Sequence, residues 1–169
     1  MAAILDSSVV RKAFPVLASG QAFPNFSLPN QDGKTVSLSD FAGHWLVVYF
    51  YPKDDTPGCT IQGKSFTAAK SDFDASDIKI VGVSQDDVAS HKNFCTKFSF
   101  TIDLLADTQS SLLKAVGIGQ TEYKGTMYND RTTIVVGPDG TVRKVYPKVN
   151  PENHEKTLLA DIRQLQRPH

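Results

Sequence analysis

Cys59 stands in the segment Tyr51-Pro52-Lys53-Asp54-Asp55-Thr56-Pro57-Gly58-Cys59-Thr60, directly after the apolar run Trp45-Leu46-Val47-Val48-Tyr49-Phe50. An apolar run followed by a turn rich in Pro and Gly reads as a strand leading into a helix, with the cysteine at the helix start. Such a start has backbone N–H groups without partners and the positive end of the helix dipole, and both favour a thiolate over a thiol. A thiolate is a nucleophile, so the chemistry on offer is attack on an electrophile at the edge of a sheet. The competing reading is a small buried hydrophobe, the usual fate of a free cysteine. Three features weigh against it: Gly58 permits close backbone approach, Pro57 stiffens the turn, and Thr56 places a hydroxyl three residues before the sulfur. Asp54 and Asp55 pull the other way, because nearby negative charge disfavours a thiolate. They are expected to face solvent, with a cation from elsewhere offsetting them.

The pattern Pro-x-x-x-Thr-x-x-Cys formed by Pro52, Thr56 and Cys59 resembles the active-site signature of the peroxiredoxins. The longer wording from Phe50 to Thr60 resembles in particular their bacterioferritin-comigratory, or peroxiredoxin Q, subfamily. The resemblance spans about residues 20–166 and is most specific at 49–60. It implies a thioredoxin-like α/β fold, and a thiol peroxidase that reduces hydrogen peroxide and organic hydroperoxides to water and alcohols through a sulfenic acid at Cys59. It also implies roles for the neighbours: Pro52 shapes and shields the turn, the Thr56 hydroxyl donates toward peroxide, and Arg131 supplies the cation. A guanidinium offers a planar fork of N–H donors suited to two adjacent oxygens. On the residues alone, Arg131 in Asn129-Asp130-Arg131-Thr132-Thr133 reads as a surface arginine at a strand end.

Many members of the subfamily carry a second cysteine five residues after the first, and here that position is Lys64. The remaining cysteine, Cys95 in His91-Lys92-Asn93-Phe94-Cys95, resembles the resolving cysteine of a second branch, which places it in the following helix. Its position on an apolar stripe equally suits a core residue. Thiols on separate helices rarely lie within the ~7 Å Cα separation a disulfide requires, so resolution would need local unwinding. The implied reductant is thioredoxin or else glutaredoxin, the implied state a monomer, and no metal or organic cofactor is required. Two rival readings are a one-cysteine peroxidase with Cys95 structural, and a redox sensor or holdase.

The elements that must position these residues follow from the hydrophobic pattern. Residues 22–28 read as an extended arm and 30–34 as a turn, with Thr35-Val36-Ser37-Leu38 returning as a hairpin strand. Residues 39–43 make one helical turn. Trp45–Tyr51, apolar without alternation, is a strand buried on both faces. A helix over about 59–73 turns Ile61, Phe66, Ala69 and Phe73 inward. Residues 78–84 form a second strand. Asp86 or Asp87 caps a helix whose stripe is Val88, His91, Cys95 and Phe98. A strand over 102–106, a helix over 110–116 and a loop containing Glu122, Tyr123, Lys124 and Tyr128 come next. The hairpin 132–136/141–146 follows, then a helix capped by Asn150 with Pro151 at its first position. This order predicts helices around a mixed sheet with an N-terminal hairpin.

Length and composition bound the rest. The 169 residues read as one domain, with 1–19 as an N-terminal extension and no apolar signal segment. Lys+Arg and Asp+Glu are both 18, which gives little support to a nucleic-acid partner. No apolar run reaches the ~20 residues of a membrane span. Two cysteines are too few for a secreted disulfide scaffold, so a reducing, cytoplasmic setting is expected. The four histidines lack metal-ligand spacing, and the absence of Cys-x-x-Cys argues against a dithiol reductase.

Overall fold

The computed structural model describes residues 16–167; most of the expected N-terminal extension lies outside the described residues. A five-stranded sheet runs in the order β5-β4-β3-β8-β9, built from β3 (Trp45–Phe50), β4 (Ile78–Ser84), β5 (Asp103–Ala106), β8 (Thr132–Val136) and β9 (Val142–Tyr146). The pairs β3–β4 and β4–β5 are parallel, whereas β3–β8 and β8–β9 are antiparallel. The expected N-terminal hairpin is β1 (Ser27–Pro29) with β2 (Thr35–Ser37), followed by a 3-10 turn at Leu38–Phe41. Helices α1 (Pro57–Ala75), α2 (Val88–Phe98), α3 (Ser111–Val116) and α4 (His154–Leu165) flank the sheet.

Strand β3 explains the layering. Every residue in it is buried, and its side chains alternate between two cores. Val47 and Tyr49 join Cys59, Phe66, Phe73, Cys95, Leu158 and Ile162 on one face. Leu46, Val48 and Phe50 join Phe23, Val83, Leu112 and Leu113 on the other. A strand covered on both sides has no reason to alternate polar and apolar residues. Its register also fixes the location of the chemistry. Phe50 pairs with Thr132 on β8 and with Val83 on β4. The chain leaving β3, the chain entering β8 and the chain leaving β4 therefore emerge at one end of the sheet.

Three local expectations need correction. Helix α1 begins at Pro57, and Ile61 is 38% exposed because Gln62 and Gly63 take the inward positions between Cys59 and Phe66. Ala69 on the same helix does turn inward, partly buried and packed against the core. Residues 120–129 form an exposed hairpin, β6 (Gln120–Tyr123) with β7 (Thr126–Asn129), turned by Lys124 and Gly125 at positive φ. The last helix begins at His154, after Asn153 at φ 63°. Asn150 instead accepts the Glu152 N–H at 3.0 Å, which closes a local side-chain turn and leaves no helix to cap.

Candidate active site

Thr56 precedes α1 in extended conformation, Pro57 takes the first helical position, and Cys59 is the third residue of the helix. Proline loses nothing there, since an N–H at that position would have no intrahelical partner. The N–H groups of Gly58 and Cys59 belong to the same unpaired first turn, while Thr60 N–H already bonds to the Thr56 carbonyl at 2.8 Å. Cys59 is 2% exposed and is a free thiol. Behind it Tyr49 stacks on Phe66 with centroids 4.7 Å apart. Burial first, and then the nearby Cys59 and Cys95, hold the Tyr49 phenol well above its usual range, so it stays protonated.

Arg131 immediately precedes β8 and reaches this turn from the neighbouring strand. Its Nη1 donates to Cys59 Sγ at 3.5 Å and to Gln62 Oε1 at 2.9 Å. Two constraints aim the side chain. The Arg131 carbonyl accepts the Val149 N–H at 2.7 Å, which fixes its backbone. A Cβ at position 58 would lie 2.7 Å from Arg131 Nη2, so only glycine leaves room for the guanidinium. Gln62 is a residue the sequence pattern did not single out; a glutamine one turn after the cysteine looks like any polar helix position. It is 1% exposed, and its Nε2 has no protein partner.

The other expected site residues are placed less directly. Pro52 is half-buried at the turn after β3. The Thr56 hydroxyl donates to the Lys53 carbonyl at 2.8 Å, so its hydrogen closes the loop, and its lone pairs are what remain free. Cys95 lies in the last turn of α2, 7% exposed, in the same apolar cluster as Cys59 and without a bond to it. Burial, then the carboxylates of Asp54, Asp103 and Asp32, push its thiol up to about 12. Only Lys92 opposes them.

Asp54 is not directed to solvent. It is 7% exposed because Tyr51, Ser90 and His91 supply hydrogen-bond donors around it. Asp55 does face outward and forms a 2.9 Å ion pair with Lys97 of α2. The arrangement at Cys59 is thus a buried sulfur at a helix start, with one guanidinium against it and the carboxylates turned away. It can hold negative charge on sulfur and donate N–H groups to oxygens brought against it.

Known proteins share this fold and part of this sequence. The model of the AhpC/TSA family matches residues 19–145. "Peroxiredoxin Bcp" of Xanthomonas campestris is 40% identical over 134 residues, covering 78% of this chain and 84% of the relative. Two solved structures of Xanthomonas campestris peroxiredoxin Q, each with one cysteine replaced by serine, are 37% and 38% identical with TM-scores of 0.79 and 0.78. They cover 84% and 83% of this chain and 92% and 91% of those chains. The two replaced cysteines are 36 positions apart, the separation of Cys59 and Cys95 here. A structure of the bacterioferritin comigratory protein of the same species, described for alkyl peroxide reduction from a trapped intermediate/ligand complex, is 34% identical. Its TM-score is 0.81, with 90% of this chain and 100% of that chain covered.

Proposed function

The chain belongs to the AhpC/TSA family and is a peroxiredoxin, a thiol peroxidase on a thioredoxin-like fold, and we propose that Cys59 is its peroxidatic and Cys95 its resolving cysteine. The observation that carries the reading is the Arg131 guanidinium 3.5 Å from Cys59 Sγ at the start of α1. The Cys59 thiolate attacks the terminal oxygen of hydrogen peroxide or an alkyl hydroperoxide. The O–O bond breaks, the sulfur keeps the hydroxyl as a sulfenic acid, and the other oxygen leaves as water or alcohol after taking a proton. Charge grows on both oxygens during the displacement. Arg131 and the N–H groups of Gly58 and Cys59 are fixed beforehand where that charge appears, which lowers the barrier without reorganisation. Pro52 shields the turn, and Thr56 presents its free lone pairs to the incoming hydroperoxide.

The Cys95 thiol then displaces hydroxide from the Cys59 sulfenic acid, giving an intramolecular disulfide and water. Thioredoxin, or glutaredoxin, returns both thiols by exchange, in a reducing cytoplasmic setting. In this reading the chain works as a single-domain monomer. The equal separation of the cysteines replaced in the relative supports the pairing. One observation favours a second reading, a one-cysteine enzyme: Cys95 is buried in an aromatic cluster with Phe94, whose ring meets Phe98 and Phe100. Mass spectrometry after one equivalent of hydrogen peroxide separates the two. A Cys59–Cys95 disulfide is expected; a persistent Cys59 sulfenic acid means an external thiol completes the cycle.

A further inference from the structure

Asp54 lies five residues before Cys59, and His91 lies four residues before Cys95. Although both are charged residue types, their side chains are 4% and 0% exposed. Asp54 Oδ2 sits 2.7 Å from His91 Nδ1 and accepts the Ser90 hydroxyl at 2.8 Å. Asp54 Oδ1 accepts the Tyr51 hydroxyl at 2.6 Å, and the Asp54 N–H donates to Asp86 Oδ2 at 2.9 Å. His91 Nε2 donates to the Leu105 carbonyl of β5 at 3.0 Å. With Nε2 donating to the sheet, His91 Nδ1 is left to share one hydrogen bond with Asp54 Oδ2 inside the core. A buried polar pair with every site satisfied is rigid, and half-breaking it costs far more than leaving it closed. Neither residue hydrogen-bonds to Cys59 Sγ, so attack on peroxide leaves the pair unused.

Both cysteines lie downstream of this pair, in terminal turns. Cys59 is in the first turn of α1. Cys95 is in the last turn of α2, its carbonyl accepting the N–H groups of Ser99 and Phe100, and Ser99 ends the helix at φ 57°. Each thiol can be released by unwinding a single turn while Asp54 and His91 keep their places against the sheet.

We propose that the Asp54–His91 pair is the pivot of disulfide formation, staying closed while the two terminal turns unwind and keeping the two thiols within reach of each other. The proposal rests on Cys95 being the resolving cysteine. In that step the Cys95 sulfur forms the S–S bond and is oxidised. The Cys59 S–O bond breaks, its sulfur is reduced, and the hydroxyl leaves as water with the Cys95 proton. From the pivot the closing loop is two arms of five and four residues, whereas the chain between the cysteines spans 36, part of it held by the β3–β4 pairing. Ring closure falls as the −3/2 power of the length of a flexible loop, so a fourfold shorter loop favours closure by at most about eightfold.

Rapid acid quench and mass spectrometry after one equivalent of hydrogen peroxide test this on the full chain. In Asp54→Leu and in His91→Leu, disulfide formation should slow, by at most about eightfold, relative to sulfenic acid formation in the same sample. Asp54→Asn should restore it, because its amide can donate to His91 Nδ1 while its carbonyl accepts from Tyr51. An unchanged or faster disulfide step in the leucine variants overturns the pivot. A second measurement needs no variant: hydrogen exchange of the wild-type disulfide form should show lost protection at 60–62 and 95–100 but retained protection at 90–92, where Ser90 and His91 N–H bond to Asp87. Lost protection at 90–92 overturns the pivot too. Absence of any wild-type Cys59–Cys95 disulfide overturns the resolving role itself, a failure distinct from that of the pivot.

Discussion

Cys59 and Cys95 are both buried free thiols in one apolar cluster, yet they occupy opposite ends of their helices. Cys59 is in the first turn of α1, where unpaired N–H groups point forward and Arg131 lies against the sulfur. Cys95 is in the last turn of α2, where carbonyls predominate and three carboxylates add negative charge. Burial alone would make both inert. What separates them is the sign of the charge turned toward each sulfur, and the fold decides that sign through strand register. The Phe50–Thr132 pairing delivers Arg131 to one thiol; the turn after β3 and the first residue of β5 carry Asp54 and Asp103 toward the other.

The largest effects should come from removing either sulfur, and they should differ in kind. Cys59→Ser should abolish peroxide consumption, because a serine hydroxyl is barely ionised near neutral pH. Cys95→Ser should consume one equivalent of peroxide, fail to turn over with thioredoxin, reductase and NADPH, and pass to sulfinic acid more readily under excess peroxide. Undiminished thioredoxin-linked turnover in Cys95→Ser would break the comparison. The reduced wild type should also alkylate unequally. With its thiol pushed from 9.0 to about 12, Cys95 should react with iodoacetamide near pH 8 about 10³ more slowly than an exposed thiol. Peptide mapping of the alkylated sites reads this directly.

Smaller effects test the charge rather than the sulfur. Arg131→Ala should slow the reaction with hydrogen peroxide by ~10²–10³, the usual cost of one preorganised donor. Gly58→Ala leaves Arg131 in the sequence but displaces its guanidinium, and should cost part of the same factor, ~10–10². If Gly58→Ala reacts at the wild-type rate, the position of Arg131 is not what activates Cys59. The weakest effect is on stability. Cys95 keeps its proton in the folded chain up to about pH 12, whereas the unfolded chain releases it near 9.0. The unfolded state thus binds fewer protons in that window, and the Cys95 contribution to stability, complete below 9, is lost as pH rises toward 12. Thermal melts of Cys95→Ala should decline less steeply than wild type over that range.

Much of the scaffold could be read from residue types alone. Trp45–Phe50, Ile78–Ser84 and Thr132–Val136 are β-branched or aromatic runs, and burial on both faces leaves such runs no other state. The hairpin at 120–129 escaped because every residue but Tyr128 is polar or exposed, without the alternation a half-buried strand displays. Cys59 was legible because Pro57, Gly58 and Thr56 constrain the turn that carries it. Arg131 was legible only through a family resemblance, since nothing near it in the chain indicates a cysteine 72 positions away. Gln62 and Asp54 were hidden for a common reason: each is a polar residue buried by partners on another element, and sequence patterning assigns such residues to the surface. His91 was legible as a member of the inward stripe of α2, but its partner Asp54, 37 positions away, was not.

The packing of α1 also limits how this sequence can drift over generations. A side chain at position 58 would strike Arg131, and one at position 63 would come within 2.3 Å of the Phe100 ring. Cys59 and Gln62 between them are held by the same guanidinium. The substitutions open to a lineage in these turns therefore fall on the outer face, at Thr60, Ile61 and Lys64. Lys64 is exposed, with its amine 5.1 Å above the Phe98 ring and no role in the core. A cysteine arising there would stand five residues after Cys59, on the outer face of the same helix. A further thiol can therefore be added beside this site without passage through a damaged core.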